Sequence, residues 1–210
     1  MAKARHITET PATAWLKVHG VNFSEHPYEY LAHGGAQHSA QVLGLDPFAV
    51  VKTLVMQDEA ARPLVVLMHG NRTVSTKNLA RQIGCKSVEP CKPEVANRHS
   101  GYWVGGTSPF GLKRAMPIWV EATALALPRI WITGGRPGFL VGIDPAFLTG
   151  PLGVHPAYCS LVALASAAGS SAVALAHPVE SPLEFSATLL CTSAYYLSCP
   201  TLCPVFVHLH

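Results

Sequence analysis

The chain reads as an α+β fold, a largely antiparallel or mixed sheet with helices at its periphery. Three observations carry that reading. Two adjacent apolar runs, residues 50–57 and 63–69, are joined by a polar stretch at 58–62 and form a hairpin. Three further strand candidates, at 118–120, 129–133 and 139–143, are separated by loops containing Gly and Pro. Helical stretches elsewhere begin at capping residues and stop at glycines. With 210 residues, 49% of them hydrophobic and 13% charged, the chain can bury a proper core and falls outside the disordered class.

In chain order, residues 12–20 read as a short helix with Ala14, Trp15 and Val18 on one side and Gly20 as its stop. Residues 21–23 read as a strand, followed by the polar segment 25–30. Gly34 and Gly35 mark a loop, residues 37–43 a helix ended by Gly44, and Asp46-Pro47 a short capped turn. After the hairpin, Ser75 or Thr76 caps a helix carrying Leu79, Ala80 and Ile83, which Gly84 terminates.

Composition then shifts. Through Arg136 the chain has 15 basic and 9 acidic residues, a net +6, whereas the remainder carries −3 and no Lys or Arg. A basic body suits a polyanionic partner. The domain is expected over residues 1–150. Segment 151–210 reads as an atypical extension or a non-native terminus and is assigned no function. Its Cys191, Cys199, Cys203, His208 and His210 lack a paired CxxC spacing, so no metal is expected. No apolar targeting region opens the chain, and residues 158–176 are too interrupted by Ser and Gly for a membrane span. A cytoplasmic location, with Cys85 and Cys91 as reduced thiols, is the expectation.

Candidate chemistry concentrates in three places. Lys52 shares its strand face with Val50, Leu54 and Met56, while Val51, Thr53 and Val55 occupy the other. A lysine on an apolar strand needs an anion, a wet cleft, or a route for its head group to solvent. Four glycines, Gly101, Gly105, Gly106 and Gly111, fall within eleven residues around Gly105-Gly106-Thr107-Ser108-Pro109. Such a loop is either a tight corner or an approach to a ligand with backbone N–H groups available as oxyanion donors. Thr133-Gly134-Gly135-Arg136 follows a strand; it is no dinucleotide fingerprint, but a hydroxyl and an arginine beside glycines suit phosphate. GxSxG and HExxH are absent, so backbone dipoles and a lysine are the expected machinery, without a side-chain nucleophile.

Taken together, Val51-Lys52-Thr53-Leu54, Gly84-Cys85-Lys86, the 101–111 loop and Ile132-Thr133-Gly134-Gly135 resemble, in order and spacing, the YbaK/EbsC family of trans-editing deacylases and the related editing domain of bacterial prolyl-tRNA synthetases. The resemblance spans residues 12–149. It implies one compact α+β domain with a curved mixed sheet surrounded by helices. It also implies hydrolysis of the ester joining a mischarged amino acid, cysteine on tRNA(Pro) or another small one, to the 3′ adenosine.

On that likeness Lys52, Gly105, Gly106 and Ser108 are the catalytic candidates. Tyr28, Thr107, Thr133, Gly134 and Gly135 are the substrate-binding ones. The acceptor end of an aminoacyl-tRNA is the implied partner, prolyl-tRNA synthetase a candidate second, and no cofactor or membrane is implied. Leu140 falls where the family keeps an aspartate, and Asp144 compensates only under a register shift. The alternative is a non-catalytic module that binds the acceptor end or a nucleotide.

Overall fold

A computed structural model of the chain describes residues 9–162. Thr10 opens helix α1 (Pro11–Val18) through a capping box. Its hydroxyl accepts from the Thr13 N–H at 3.1 Å, and the Thr13 hydroxyl accepts from the Thr10 N–H at 2.9 Å. The first strand, β1 (Ser24–Pro27), falls after the segment 21–23 expected from sequence. Val21 instead turns into the core, because register is set by pairing with a distant strand. Helix α2 (Gly35–Leu43) ends at Gly44 in the left-handed conformation, as its sequence predicts.

The hairpin is present as β2 (Val50–Asp58) and β3 (Pro63–His69), paired from Val51↔His69 to Gln57↔Pro63. Asp58 closes its turn by accepting from the N–H groups of Ala60 and Arg62 and from the Arg62 guanidinium at 2.6 Å. A short β4 (Arg72–Val74) precedes α3 (Thr76–Ile83), which is capped by Ser75 and stopped by Gly84 as anticipated. Then follow β5 (Val88–Pro90), α4 (Pro93–Ser100), β6 (Ile118–Glu121), α5 (Ala122–Leu125), β7 (Ile130–Thr133), β8 (Phe139–Ile143) and α6 (Ala146–Thr149). Strands β9 (His155–Ala157) and β10 (Ser160–Val162) continue the paired structure past residue 150, on β6 and β4 respectively. The remainder of the C-terminal segment, with its Cys and His cluster, lies outside the described residues.

The main sheet runs β1-β8-β7-β2-β3-β6-β9, with β5 added to β2. It is mixed: β2–β7, β3–β6 and β6–β9 are parallel and the other pairs antiparallel. The α+β expectation is met. The alternation read on β2 holds as well. Val51 and Val55 join one core with α1, Phe110 and Phe139. On the opposite face Val50 packs with Ala40 of α2, and Met56 with Leu79 and Ala80 of α3. Lys52 stands on this second face, at the seam between the α2 and α3 clusters.

Candidate active site

The seam opens into a cleft of about 630 Å3 lined by Tyr28, Tyr30, Lys52, Thr53, Gly105, Thr107, Thr133 and Leu140, among others. Its origin lies in strand pairing. On one edge β2 pairs with β7 only at Val50 and Val51, and with β5 only from Met56 to Asp58. The strand between them, residues 52–55, has no strand neighbour on that edge. Backbone direction alternates along a strand. Ala49 O accepts from Trp131 N and Val55 O from Cys91 N, each at 3.0 Å, so the odd-numbered residues point their polar groups toward this edge. The N–H and C=O of Thr53 therefore face the gap. Its hydroxyl is also shielded from solvent and has no hydrogen-bond partner among the described residues.

Lys52 is half-buried, and its ammonium donates to the Arg72 carbonyl at 2.5 Å. Burial pushes its pKa below the ordinary lysine value. Among the described residues the ion pairs are Lys17–Glu9 and Arg62–Asp58, so this ammonium has no carboxylate partner. A cation desolvated in this way, with one neutral acceptor, is prepared for an anionic ligand.

The glycine loop is held from behind. The buried Tyr102 hydroxyl donates to Phe110 O at 2.6 Å, and Asn97 donates to Tyr102 O at 3.0 Å. Gly105 has φ +84°, a backbone conformation that favours glycine, and it lies against the Tyr30 side chain. Gly105 and Thr107 line the cleft, and neither N–H donates to another described residue. The Gly106 N–H is already engaged with Trp103 O at 2.9 Å, and Gly106 packs against Arg136 and Pro137. Ser108 is fully buried, its hydroxyl accepting from Phe110 N at 3.4 Å. Gly106 and Ser108 therefore sit behind the cleft wall as supports.

Gly134 and Gly135 are likewise apart from the cleft lining. The Gly134 carbonyl accepts from the Thr10 hydroxyl at 2.6 Å, and a Cβ on Gly134 would lie 2.5 Å from the Phe139 ring. Gly135, with φ +93°, lies against Thr10 and Ala12. This pair lets the β7–β8 connection pack on α1, a contact between segments more than 120 residues apart. Tyr28 and Thr133 do line the cleft, and burial raises the Tyr28 pKa.

Leu140 is buried with Ala40 and Val50 and forms apolar floor. It pairs with Thr133, which fixes the register, and Asp144 is exposed and accepts from Ala146 N at 2.9 Å. Asp144 thus does not replace the missing acid. Of the histidines near Tyr28 in the sequence, His33 and His38 line the cleft, whereas His26 bonds Ser24 and packs edge-on to Trp131. Thr53 is the cleft residue that sequence reasoning passed over as ordinary strand.

The structure is thus a mixed-sheet α+β domain in which a lysine and a glycine loop line one cleft. Residues 34–149 match the aminoacyl-tRNA editing domain, and the chain belongs to that family. It is 29% identical over 146 residues to EbsC of Enterococcus faecalis, provisionally named a Cys-tRNA(Pro)/Cys-tRNA(Cys) deacylase, covering 69% of this chain and 89% of that one. A proline–tRNA ligase of Limosilactobacillus fermentum is 29% identical over 84 residues, 38% of this chain and 15% of the ligase. A crystal structure provisionally described as a trans-editing enzyme for prolyl-tRNA synthetase superposes with TM-score 0.63 at 23% identity. That match spans 72% of this chain and 95% of the other, and it supports the fold. No helix among the described residues is long and apolar enough to cross a membrane.

Proposed function

We propose that the protein hydrolyses the ester of a mischarged aminoacyl-tRNA in trans, acting in the cytoplasm on Cys-tRNA(Pro) or another tRNA bearing a small amino acid. The observation that supports this is that Lys52, whose ammonium has no carboxylate partner among the described residues, lines the same cleft as Gly105 and Thr107. The cleft volume, about 630 Å3, suits a terminal aminoacyl-adenosine. Lys52 holds a phosphate or ribose oxygen of the acceptor end. The Gly105 and Thr107 N–H groups stabilise the developing oxyanion. Thr53 offers a hydroxyl and an unpaired strand edge, while Tyr28 and Thr133 border the pocket.

An aminoacyl ester is already activated, so positioning and oxyanion stabilisation suffice without a protein nucleophile. In the cysteinyl case the substrate thiol attacks its own carbonyl, the ester C–O bond breaks, and the ribose oxygen leaves carrying the thiol proton. Water then opens the thiolactone to free cysteine. Otherwise a water, oriented with the help of a ribose hydroxyl, attacks the carbonyl and the ribose oxygen leaves as the alcohol. A small pocket also answers a selectivity problem, since synthetases cannot separate small side chains by affinity alone. Prolyl-tRNA synthetase is the corresponding candidate partner.

The test is release of free amino acid from a panel of acylated tRNAs, including Cys-tRNA(Pro) and Ala-tRNA(Pro), without added metal. Lys52→Ala should abolish release while the protein stays folded; undiminished turnover by this variant defeats the assignment. The apolar Leu140 floor favours one second reading, a module that binds the acceptor end without catalysis. Binding across the panel with no deacylation would select it.

A further inference from the structure

A second depression, of about 460 Å3, is lined by Lys77 and Arg81 of α3 together with Cys85, Lys86, Ser87 and Val88 at the start of β5. We infer that this groove binds the phosphodiester backbone at the acceptor end of the tRNA whose terminal nucleotide enters the cleft; the inference rests on the editing function proposed above.

Four observations support it. Lys77, Arg81 and Lys86 are exposed and none belongs to an ion pair among the described residues. The lining contains no carboxylate; nearby Glu59 is committed to the backbone N–H groups of Lys86 and Ser87, at 3.0 and 3.4 Å. Lys77 and Arg81 also stand one helical turn apart on α3, a like-charge spacing that disfavours the isolated helix and gains compensation from a bound anion. Finally, β5 joins the two sites. Val88 lines the groove while Pro90 and Cys91 line the cleft, a separation of roughly 7–10 Å at about 3.3 Å per residue. A nucleic-acid strand leaving the cleft along β5 meets the three cations directly.

The experiment compares the wild-type chain with the K77Q/R81Q/K86Q variant by binding of uncharged tRNA(Pro) and of its acceptor-stem minihelix across a salt series. Hydrolysis of a phosphate-free aminoacyl-adenosine ester is measured in parallel. The expected result is a salt dependence shallower by about 2–3 in log–log slope, from three lost phosphate contacts at about 0.7–0.9 each. Affinity for both RNAs falls at least tenfold, and small-ester hydrolysis is unchanged. An unchanged slope overturns the groove, as does a loss confined to full tRNA and absent from the minihelix. Circular dichroism separates misfolding, and if the triple variant misfolds, Lys86→Gln alone should still lower the slope by about one contact. Failure of wild-type protein to hydrolyse any ester would instead defeat the editing assignment, while the binding data judge the groove independently.

Discussion

Replacing Thr53 by Val should make the protein more stable and less active. Val keeps the β-branched shape that β2 accommodates and removes only the hydroxyl. That hydroxyl is shielded from solvent and has no partner among the described residues. An unmet buried hydroxyl costs about 1–3 kcal/mol, and the methyl that replaces it adds apolar burial. Allowing for relaxation at the cleft edge, a gain of about 1–2 kcal/mol is expected. For a chain of this size that corresponds to a melting temperature higher by about 2–4 °C per kcal/mol. Deacylation should fall about tenfold, the value of one lost substrate hydrogen bond, and Thr53→Ser should restore it. The assays are thermal unfolding followed by circular dichroism and amino-acid release from acylated tRNA. A lower melting temperature would show that the hydroxyl is already satisfied. A higher one with unchanged turnover would remove Thr53 from the substrate site.

The pH profile should report Lys52. Because burial lowers its pKa in the folded state, activity requiring the ammonium should decline on the alkaline side below the ordinary lysine range. The limb for kcat should lie higher than that for kcat/KM, since bound phosphate restores the charged form; coincident limbs would count against a phosphate ligand. The unfolded chain holds this proton more tightly than the folded one, so Lys52's contribution to stability rises with pH through the same window. Gly134→Ala should destabilise by about 1–3 kcal/mol, because its Cβ would lie 2.5 Å from the Phe139 ring; unchanged denaturant unfolding would contradict the packing. Cys159, fully buried and with its thiol pKa pushed up to about 12, should resist maleimide at pH 8 in peptide mapping, with Cys85 and Cys91 labelled ahead of it.

Much of the fold was legible because its signals are local. The β2–β3 hairpin declares itself through two apolar runs and a polar turn, and α2 and α3 through glycine stops. Strand β5 and helix α4 carry no apolar pattern: Val88–Pro90 is three residues long with only Val88 buried, and α4, although it starts at Pro93 and stops at a left-handed Gly101, buries only Ser100. Of the candidate residues read from the sequence, Tyr28, Lys52, Gly105, Thr107 and Thr133 are brought to one cleft. Gly134 and Gly135 look like a phosphate loop in sequence, yet their partner is Thr10 at the other end of the chain. Only tertiary contact decides between those uses. The open edge at Thr53 was hidden for a related reason: it exists because β7 leaves β2 after Val51 and β5 joins only at Met56.

That gap is where the energetic logic of the site lies. Thr53 is the only one of the four described residues with an unpartnered buried side-chain polar atom that lines the cleft, the others being Asn71, Trp131 and Arg136. Beside it Lys52 holds a partly desolvated ammonium against a neutral carbonyl. A sheet that closed this edge would satisfy the Thr53 backbone at no chemical disadvantage. An apolar residue at position 52 would remove a buried cation. Both features cost folding stability in the free protein, and both lie within two successive residues of one strand. Under the proposed function an acceptor end would supply what each lacks: oxygen acceptors and a negative charge for Lys52, and donors and acceptors for the Thr53 edge. On that proposal, interactions withheld in the free chain and completed by the substrate would be the ones that position its ester for attack.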